Sequence, residues 1–340
     1  MDPSLYDRGV RELRGPDAAL VEASPCPVCD ARRVRPRFEI EGLVGRIVVC
    51  VECGLGRLAP LPTDAEIAAL YPSAYYGATG QKFEGPVEAV VRLVGARHVR
   101  FLARGLPAGA RVLDLGCGRG VLLAALADRG LEVHGVEMNA DAAHGADPRA
   151  EIRIAPRLRD AEYPAAFFDE VIVWHVLEHL RDPRGTLEEI RRILRPGGRL
   201  VLAVPNFSSA QARWAGAAWF HLDVPRHLYH FPVSALRRLL GRTGYRCESE
   251  HHFSLRQNPF GWVQSALNRY TELPRNGLYV LLHRRQGDEP PPYDARTRRR
   301  LRLAYRLGLP IGIALCGAET ILRSGATVHL IARAEGPSQT

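Results

Sequence analysis

The chain has 340 residues, 46% of them hydrophobic and 24% charged, with a formal net charge of +9. That balance excludes a disordered or fibrous chain, and the length is generous for one core, so a main domain with additions is expected. No run of 18 apolar residues occurs and the start, MDPSLYDRGVRELRG, is charged rather than signal-like, which predicts a cytoplasmic protein with no transmembrane segment.

The charge invites a nucleic-acid reading. Yet Lys82 is the only lysine, so the excess belongs to a chain rich in arginine throughout. RTRRRLR, Arg296 to Arg302, is the one dense basic cluster and follows the proline-rich EPPPYDA. It reads either as a solvated face or as a patch for phosphates or a membrane surface.

The first element along the chain is built on cysteine. CPVC (Cys26, Cys29) and CVEC (Cys50, Cys53) stand 20 residues apart. This spacing brings two thiolate knuckles around one tetrahedral zinc. Pro27, Gly54 and Gly56 supply turn residues, and RPRFEIEGLVGRIVV reads as two short strands around a glycine-bearing turn. With all four positions filled by Cys, no coordination place is left open, so the Zn2+ would be structural. A ribbon this small would need it for stability. The other reading is four unliganded thiols. A thioredoxin-type redox role lacks its strand–helix surroundings. Cys117, Cys247 and Cys316 are scattered, so no secreted disulfide framework is present.

VEAVVRLVGARHVRFLARGL predicts a helix over Val87–Leu106. RVLDL (Arg111–Leu115) then reads as a strand, followed by Gly116, Gly118 and Gly120 and a helix pattern in VLLAALADRG. Glycines at such a turn let the backbone approach a ligand, facing it with free N–H groups. The spacing is G-x-G-x-G rather than G-x-G-x-x-G, so no pyrophosphate cradle is implied. Asp114 beside the turn would repel a pyrophosphate and attract an ammonium. The next strand, EVHGV, ends in Glu137, placed to accept ribose hydroxyls. An adenosine ligand without phosphates and with an amino-acid ammonium is S-adenosylmethionine.

DEVIV is a further strand, and WHVLEHL (Trp174–Leu180) follows it. If WHVLEHL opens a helix, His175, Glu178 and His179 share one face. The three could hold a metal, move a proton, or simply start a helix. A second cluster, WFHLDVPRHLYHF (Trp219–Phe231), carries His221, Asp223, His227, Tyr229 and His230. It reads as a lid over a small ring or sugar, with His227 its best candidate for chemistry, or as a plain surface loop. Arg256–Leu322 is an insertion with helix patterns at WVQSALNRY and LRLAYRLGL. Within it, LGLPIGIALCGA is too short to span a bilayer and contains Pro310, so a buried or interfacial helix is expected.

VLDLGCGRG, the acid in GVEMN, FDEVIVWHVLEHLRDP and LRPGGRLVLAVPN resemble successive motifs of the class I S-adenosylmethionine-dependent methyltransferases. The resemblance covers Ala110 to Ser254, with ATVHLIARA as the last, antiparallel strand. The front end, CPVC to PSAYYG, is similar to the zinc-ribbon prefix of a bacterial branch acting on small molecules. The resemblance implies an α/β fold: a Rossmann-like seven-stranded methyltransferase sheet with an N-terminal zinc ribbon and a C-terminal capping insertion. It divides the chain into a ribbon and connector (1–80), the cofactor-binding core (81–254), a substrate-capping insertion (255–325) and a last strand with tail (326–340). By position, Gly116, Cys117 and Gly118 would lie against the methionine part and Asp114 would take its ammonium. Glu137 would hold the ribose, Met138 would pack on the adenine, and Asp160 is the candidate for the adenine amine. His175, at the carboxyl edge of the sheet, would reach cofactor or substrate.

The implied function is methyl transfer to a small-molecule acceptor, oxygen favoured, of sugar, quinone-like or natural-product type. His175, His179 and His227, with Glu178, are the candidates for deprotonation. Some relatives hold a divalent ion in an E-x-x-E-H run, but here His175 replaces the first acid. Two alternatives stand beside this reading. One is an RNA methyltransferase gripping phosphates with ribbon and arginines, less favoured because exposed aromatics are scarce. The other is a docking protein that binds S-adenosylmethionine without using it.

Overall fold

The structure, a computed structural model, describes residues 8–71, 97–270, 272–282 and 293–335. The strands are β1 (Val10–Glu12), β2 (Val21–Glu22), β3 (Arg33–Ile40), β4 (Arg46–Cys50), β5 (Gly56–Ala59), β6 (Arg111–Leu115), β7 (Glu132–Glu137), β8 (Glu151–Ile154), β9 (Phe168–Trp174), β10 (Leu194–Pro205), β11 (Tyr229–His230), β12 (Tyr245–His251) and β13 (Thr327–Ala334). The helices are α1 (Asp64–Ala69), α2 (Val121–Ala127), α3 (Ala140–Ala143), α4 (Pro183–Ile193), α5 (Ala210–Ala215), α6 (Val233–Arg242), α7 (Asn258–Leu267), α8 (Gly277–Leu282) and α9 (Ala295–Ile321). Of the helix expected at Val87–Leu106, positions 87–96 lie outside the described residues and 97–102 are helical.

The chain divides into two compact units. One, spanning Ala89–Val204, Arg237–Glu250 and His329–Thr340, is built on a seven-stranded sheet of order β12-β13-β10-β9-β6-β7-β8. β6 runs parallel to β7 and β9, β7 to β8, and β10 to β9. The central strands β6, β9 and β10 are largely apolar and buried because both their faces are covered, whereas the edge strands β8 and β12 carry charged, part-exposed residues. Val112, Val133, Ile172 and Val201 meet Leu123 and Leu126 of α2 in one buried cluster. α4 buries Leu187, Ile190 and Ile193 and leaves its charged side outward. The last strand in sequence, β13, enters between β10 and β12, so ATVHLIARA closes the sheet from inside.

The other unit gathers Met1–Glu88, Pro205–Leu236 and His251–Val328. Its sheet has the order β1-β3-β4-β5-β11, with β2 on β3. β3 alternates exposed arginines with buried Val34, Phe38 and Ile40, the period-two pattern of a half-buried strand. It pairs antiparallel with β4 around the Gly42–Gly45 turn, and β4 with β5. The sheet does not end with the ribbon. β11, from the histidine-rich segment, adds to β5 with Tyr229 opposite Arg57 and His230 opposite Gly56. A Cβ on Gly56 would lie 3.0 Å from both His230 and Phe207, so glycine permits this close seam. α7, α8 and the first half of α9 enclose a separate apolar cluster of Val263, Leu267, Leu278, Leu281 and Leu301.

Candidate cofactor and proton-transfer site

In the seven-stranded unit the turn after β6 is forced by glycine. Gly116 has φ +75°, and a Cβ there would come within 2.7 Å of Val176. Gly120 caps α2 in the left-handed region. Gly135, one strand over, leaves room for the Cys117 side chain, whose Sγ would lie 2.5 Å from a Cβ at that position. Backbone and sulfur are thus pressed against the ends of β6 and β7.

Two buried carboxylates stand at those ends. Glu137 closes β7 and accepts from the backbone N–H groups of Gly118 (3.0 Å), Met138 (2.8 Å) and Asn139 (3.1 Å), so it ties the second strand to the glycine turn. Asp114 is buried on β6. Burial, and then the charge of Glu137, push its carboxyl up to about 7. The Cys117 thiol is raised by burial and by the same two acids. A cation delivered to this turn would relieve both carboxylates. The site therefore fits a ligand with an ammonium group and hydroxyls, lying against glycine backbone. Met138 follows Glu137 and is exposed. Asp160 lies beyond β8 in a short 3-10 turn, Leu158–Ala161, where Arg157 Nε holds its carboxylate at 2.9 Å.

WHVLEHL departs from the helix start that its spacing suggests. His175 adopts φ +55°, a left-handed conformation that costs energy in a non-glycine residue. Only Leu177–His179 forms a single 3-10 turn, and α4 begins at Pro183, capped by Asp182 through Gly185 N–H at 2.8 Å. Asp182-Pro183 is the start signal that the histidine spacing hides. The bend brings His175 Nδ1 to 3.2 Å from Oε1 of the buried Glu178, while the His175 N–H donates to Ala203 O at 2.9 Å. His175 Nε2 has no partner among the described residues. Glu178 thereby fixes the ring, and the other nitrogen lies buried with no hydrogen bond among those residues to answer it. His179 ends the 3-10 turn and is half-buried.

Two residues absent from the sequence reading complete this region. The Trp174 ring packs against both His98 and His329, with ring centroids at 3.8 Å and 4.5 Å. They come from the helix before β6 and from β13, too far apart in sequence for any pattern to join them.

In the other unit the histidines of the second cluster are buried and tied to backbone. His227 Nδ1 lies 2.8 Å from His221 O, and His230 Nε2 lies 3.0 Å from Leu222 O. Arg226 pairs with Asp223, and Asp223 Oδ2 lies 3.7 Å from His227 Nε2. The same unit holds the four cysteines. Sγ of Cys26 and Cys53 are 3.6 Å apart, those of Cys29 and Cys50 are 3.5 Å apart, and all four lie within 4.8 Å of one another. A tetrahedron with Zn–S bonds of about 2.3 Å has edges of about 3.8 Å, so the four thiols fit that ion. Both knuckles repeat one backbone pattern. Asp30 N–H donates to Cys26 O and Gly54 N–H to Cys50 O, with Asp30 at φ +64° and Gly54 at φ +74°. The Cys53 thiol, donating to Cys26, pulls Cys26 down to about 5.

A family model described as a methyltransferase domain matches residues 88–250. A ubiquinone biosynthesis O-methyltransferase of Xanthomonas oryzae is 31% identical over 159 residues, which is 44% of this chain and 66% of that protein. A protein of the same name from Alkalilimnicola ehrlichii is 36% identical over 107 residues, 29% of this chain and 42% of its own. The chain thus spans just under two thirds of the first relative's length. Among solved structures, an S-adenosylmethionine-dependent methyltransferase from Archaeoglobus fulgidus aligns at 21% identity over 71% of this chain and 93% of its own, TM-score 0.45. One from Mesorhizobium loti aligns at 17% identity over 73% and 99%, TM-score 0.41. The Rossmann-like strand order and the glycine turn with its two acids define a nucleotide-binding α/β domain. With the family match, that domain belongs to the class I S-adenosylmethionine-dependent methyltransferases.

Proposed function

We propose that the protein transfers a methyl group from S-adenosylmethionine to an oxygen of a small molecule, with His175 as the base. The observation that carries this reading is the His175–Glu178 pair at the end of β9, one strand from the glycine turn, with one imidazole nitrogen held by a buried carboxylate and the other buried without a hydrogen bond among the described residues. When bound, S-adenosylmethionine supplies a methyl carbon open to in-line attack. The chain's own part is to position and to move one proton. Asp114 would take the ammonium and Glu137 the ribose, with Gly116, Cys117 and Gly118 against the methionine part, Met138 on the adenine and Asp160 toward its amine. An acceptor hydroxyl would give its proton to His175 Nε2 as its oxygen takes the methyl, the methyl–sulfur bond breaking and the sulfur leaving as a neutral thioether, and Glu178 would steady the imidazolium that results. His179 and His227 remain candidates for contact with the acceptor, and the 255–325 insertion for choosing it. The relatives' shared name, ubiquinone biosynthesis O-methyltransferase, supports a phenolic or quinone-like acceptor. The four cysteines would hold a structural Zn2+. Free thiols and this chemistry fit the cytoplasm.

Incubation with methyl-labelled S-adenosylmethionine and an extract of the source cells, with and without ribonuclease, tests the reading. Label in a small-molecule fraction that ignores ribonuclease supports it. Label in material that ribonuclease destroys overturns it in favour of an RNA acceptor.

A further inference from the structure

The longest helix among the described residues, α9, has two faces with different fates. Its inner face is committed to the protein. Leu301, Gly312, Cys316 and Glu319 are buried there, and a Cβ on Gly312 would stand 2.6 Å from the Pro259 carbonyl of α7. A Cβ on Gly308 would crowd Val263 at 3.2 Å. Small residues at these two positions bring the helices close, and burial raises the Glu319 carboxyl to about 7.

The outer face is open and apolar. Leu307 is 65% exposed, Ile311 62%, Ile321 83% and Leu322 72%, with Leu303 and Leu315 also exposed. At 100° per residue these six fall within about 120° of arc, a continuous stripe about 29 Å long from Leu303 to Leu322. Water-exposed surfaces rarely carry such a stripe without an occupant. Just N-terminal to it, Arg296, Arg298, Arg299, Arg300, Arg302 and Arg306 crowd the first three turns, and no acid occurs between Ala295 and Ala318. Arg296 and Arg300 fall on the same arc as the apolar stripe. Arg300 also lies 3.3 Å from the exposed Glu272 carboxylate.

We infer that the outer face of α9 docks on an anionic lipid surface, lying in the plane of the interface. By length and composition α9 could cross a bilayer. Its inner face argues for lying flat, because a crossing would strip Gly308 and Gly312 from α7 and carry Glu319 into hydrocarbon. An apolar stripe beside clustered arginines is the chemistry of an interfacial helix: the aliphatic side chains sink below the headgroups while guanidiniums pair with phosphates.

Co-sedimentation of the full chain with vesicles tests this. One set is phosphatidylcholine alone and the other equal parts phosphatidylcholine and phosphatidylglycerol. The protein should pellet with the mixed vesicles, less so at high salt, and poorly with phosphatidylcholine. Leu307→Glu with Ile311→Glu should lower the affinity at least about ten-fold, since each removes an aliphatic group from the lipid. Arg299→Ser with Arg300→Ser should also lower it about ten-fold or more. These positions are exposed, so thermal unfolding and S-adenosylmethionine binding should match wild type. Should the apolar pair disturb folding, the arginine pair decides alone. Equal binding to both vesicle types, or binding untouched by the folded variants, overturns the inference. So does a dimer that Leu307→Glu with Ile311→Glu splits while vesicles are ignored, because a second copy then owns the face.

Discussion

WHVLEHL and WFHLDVPRHLYHF look alike in composition, each interleaving histidines with acids and aromatics, yet they are built differently. In the first, a left-handed residue at the end of a parallel strand turns one imidazole toward a buried carboxylate and leaves its second nitrogen without a hydrogen bond among the described residues. In the second, ring nitrogens meet backbone carbonyls of the same segment, and two residues become a strand on the ribbon sheet. The first stretch spends backbone strain on leaving a buried ring nitrogen without a hydrogen bond. The second uses its histidines to hold a loop that has little regular structure of its own. A histidine's partner therefore says more about its work than its neighbours in sequence do.

Substitutions sharpen that contrast. His175→Gln should lower kcat by about 10²–10⁴-fold, the usual worth of a positioned base, while S-adenosylmethionine binding and melting temperature stay near wild type. An unchanged kcat would remove His175 from the chemistry and return the first stretch to a structural role.

The ribbon should respond in the opposite sense. Stripping zinc with a chelator, or Cys50→Ser, should cost several kcal/mol within the ribbon unit, read as new proteolysis around β3–β5. A protease pattern and metal content identical to wild type would mean that the thiols hold no ion.

His230→Ala should cost about 2–3 kcal/mol, because a buried ring is lost and the Leu222 carbonyl loses its partner. The drop should appear in thermal or urea unfolding. Stability within about 0.5 kcal/mol of wild type would show that the second stretch does not rely on its histidine bonds.

The smallest effect is set by pH. In the folded protein Asp114 sits at about 7, above its ordinary value of 3.8. The folded state thus binds this proton more tightly than the unfolded one. Asp114 favours the ligand-free fold most below about pH 4, and that contribution is lost as pH rises through about 7. An ammonium needs the carboxylate ionised, so S-adenosylmethionine affinity should weaken below pH 7 by up to about ten-fold per unit. Asp114→Asn should bind more weakly at pH 8 and show a flat profile. A sloping profile in that variant would assign the titration elsewhere.

The parts of the site written in short-range pattern were legible in sequence. A strand, three glycines and an acid at the next strand end encode one turn, since each residue type answers a local need: positive φ, close approach, a carboxylate at the tip. The cysteine spacing likewise encodes two knuckles with matching hydrogen bonds. What escaped depends on distant meetings. β11 is only two residues long and gains its identity from β5. His98, Trp174 and His329 meet through sheet order alone. The bend at His175 is hidden because its spacing mimics a helix face, although Asp182-Pro183 marks where the helix starts. The outer face of α9 was divided in sequence between a basic cluster and an apolar run, and only the continuous helix joins them.

The function proposed for this protein rests on the turn after β6, with Glu137 behind it, holding S-adenosylmethionine. Calorimetric titration of the cofactor into wild type and Glu137→Ala tests it most directly. Saturable one-site binding to wild type is expected, weakened at least about ten-fold in the variant by loss of a buried, charge-assisted hydrogen-bond acceptor. Absence of binding to the folded wild-type protein, or equal affinity in a folded variant, would contradict it.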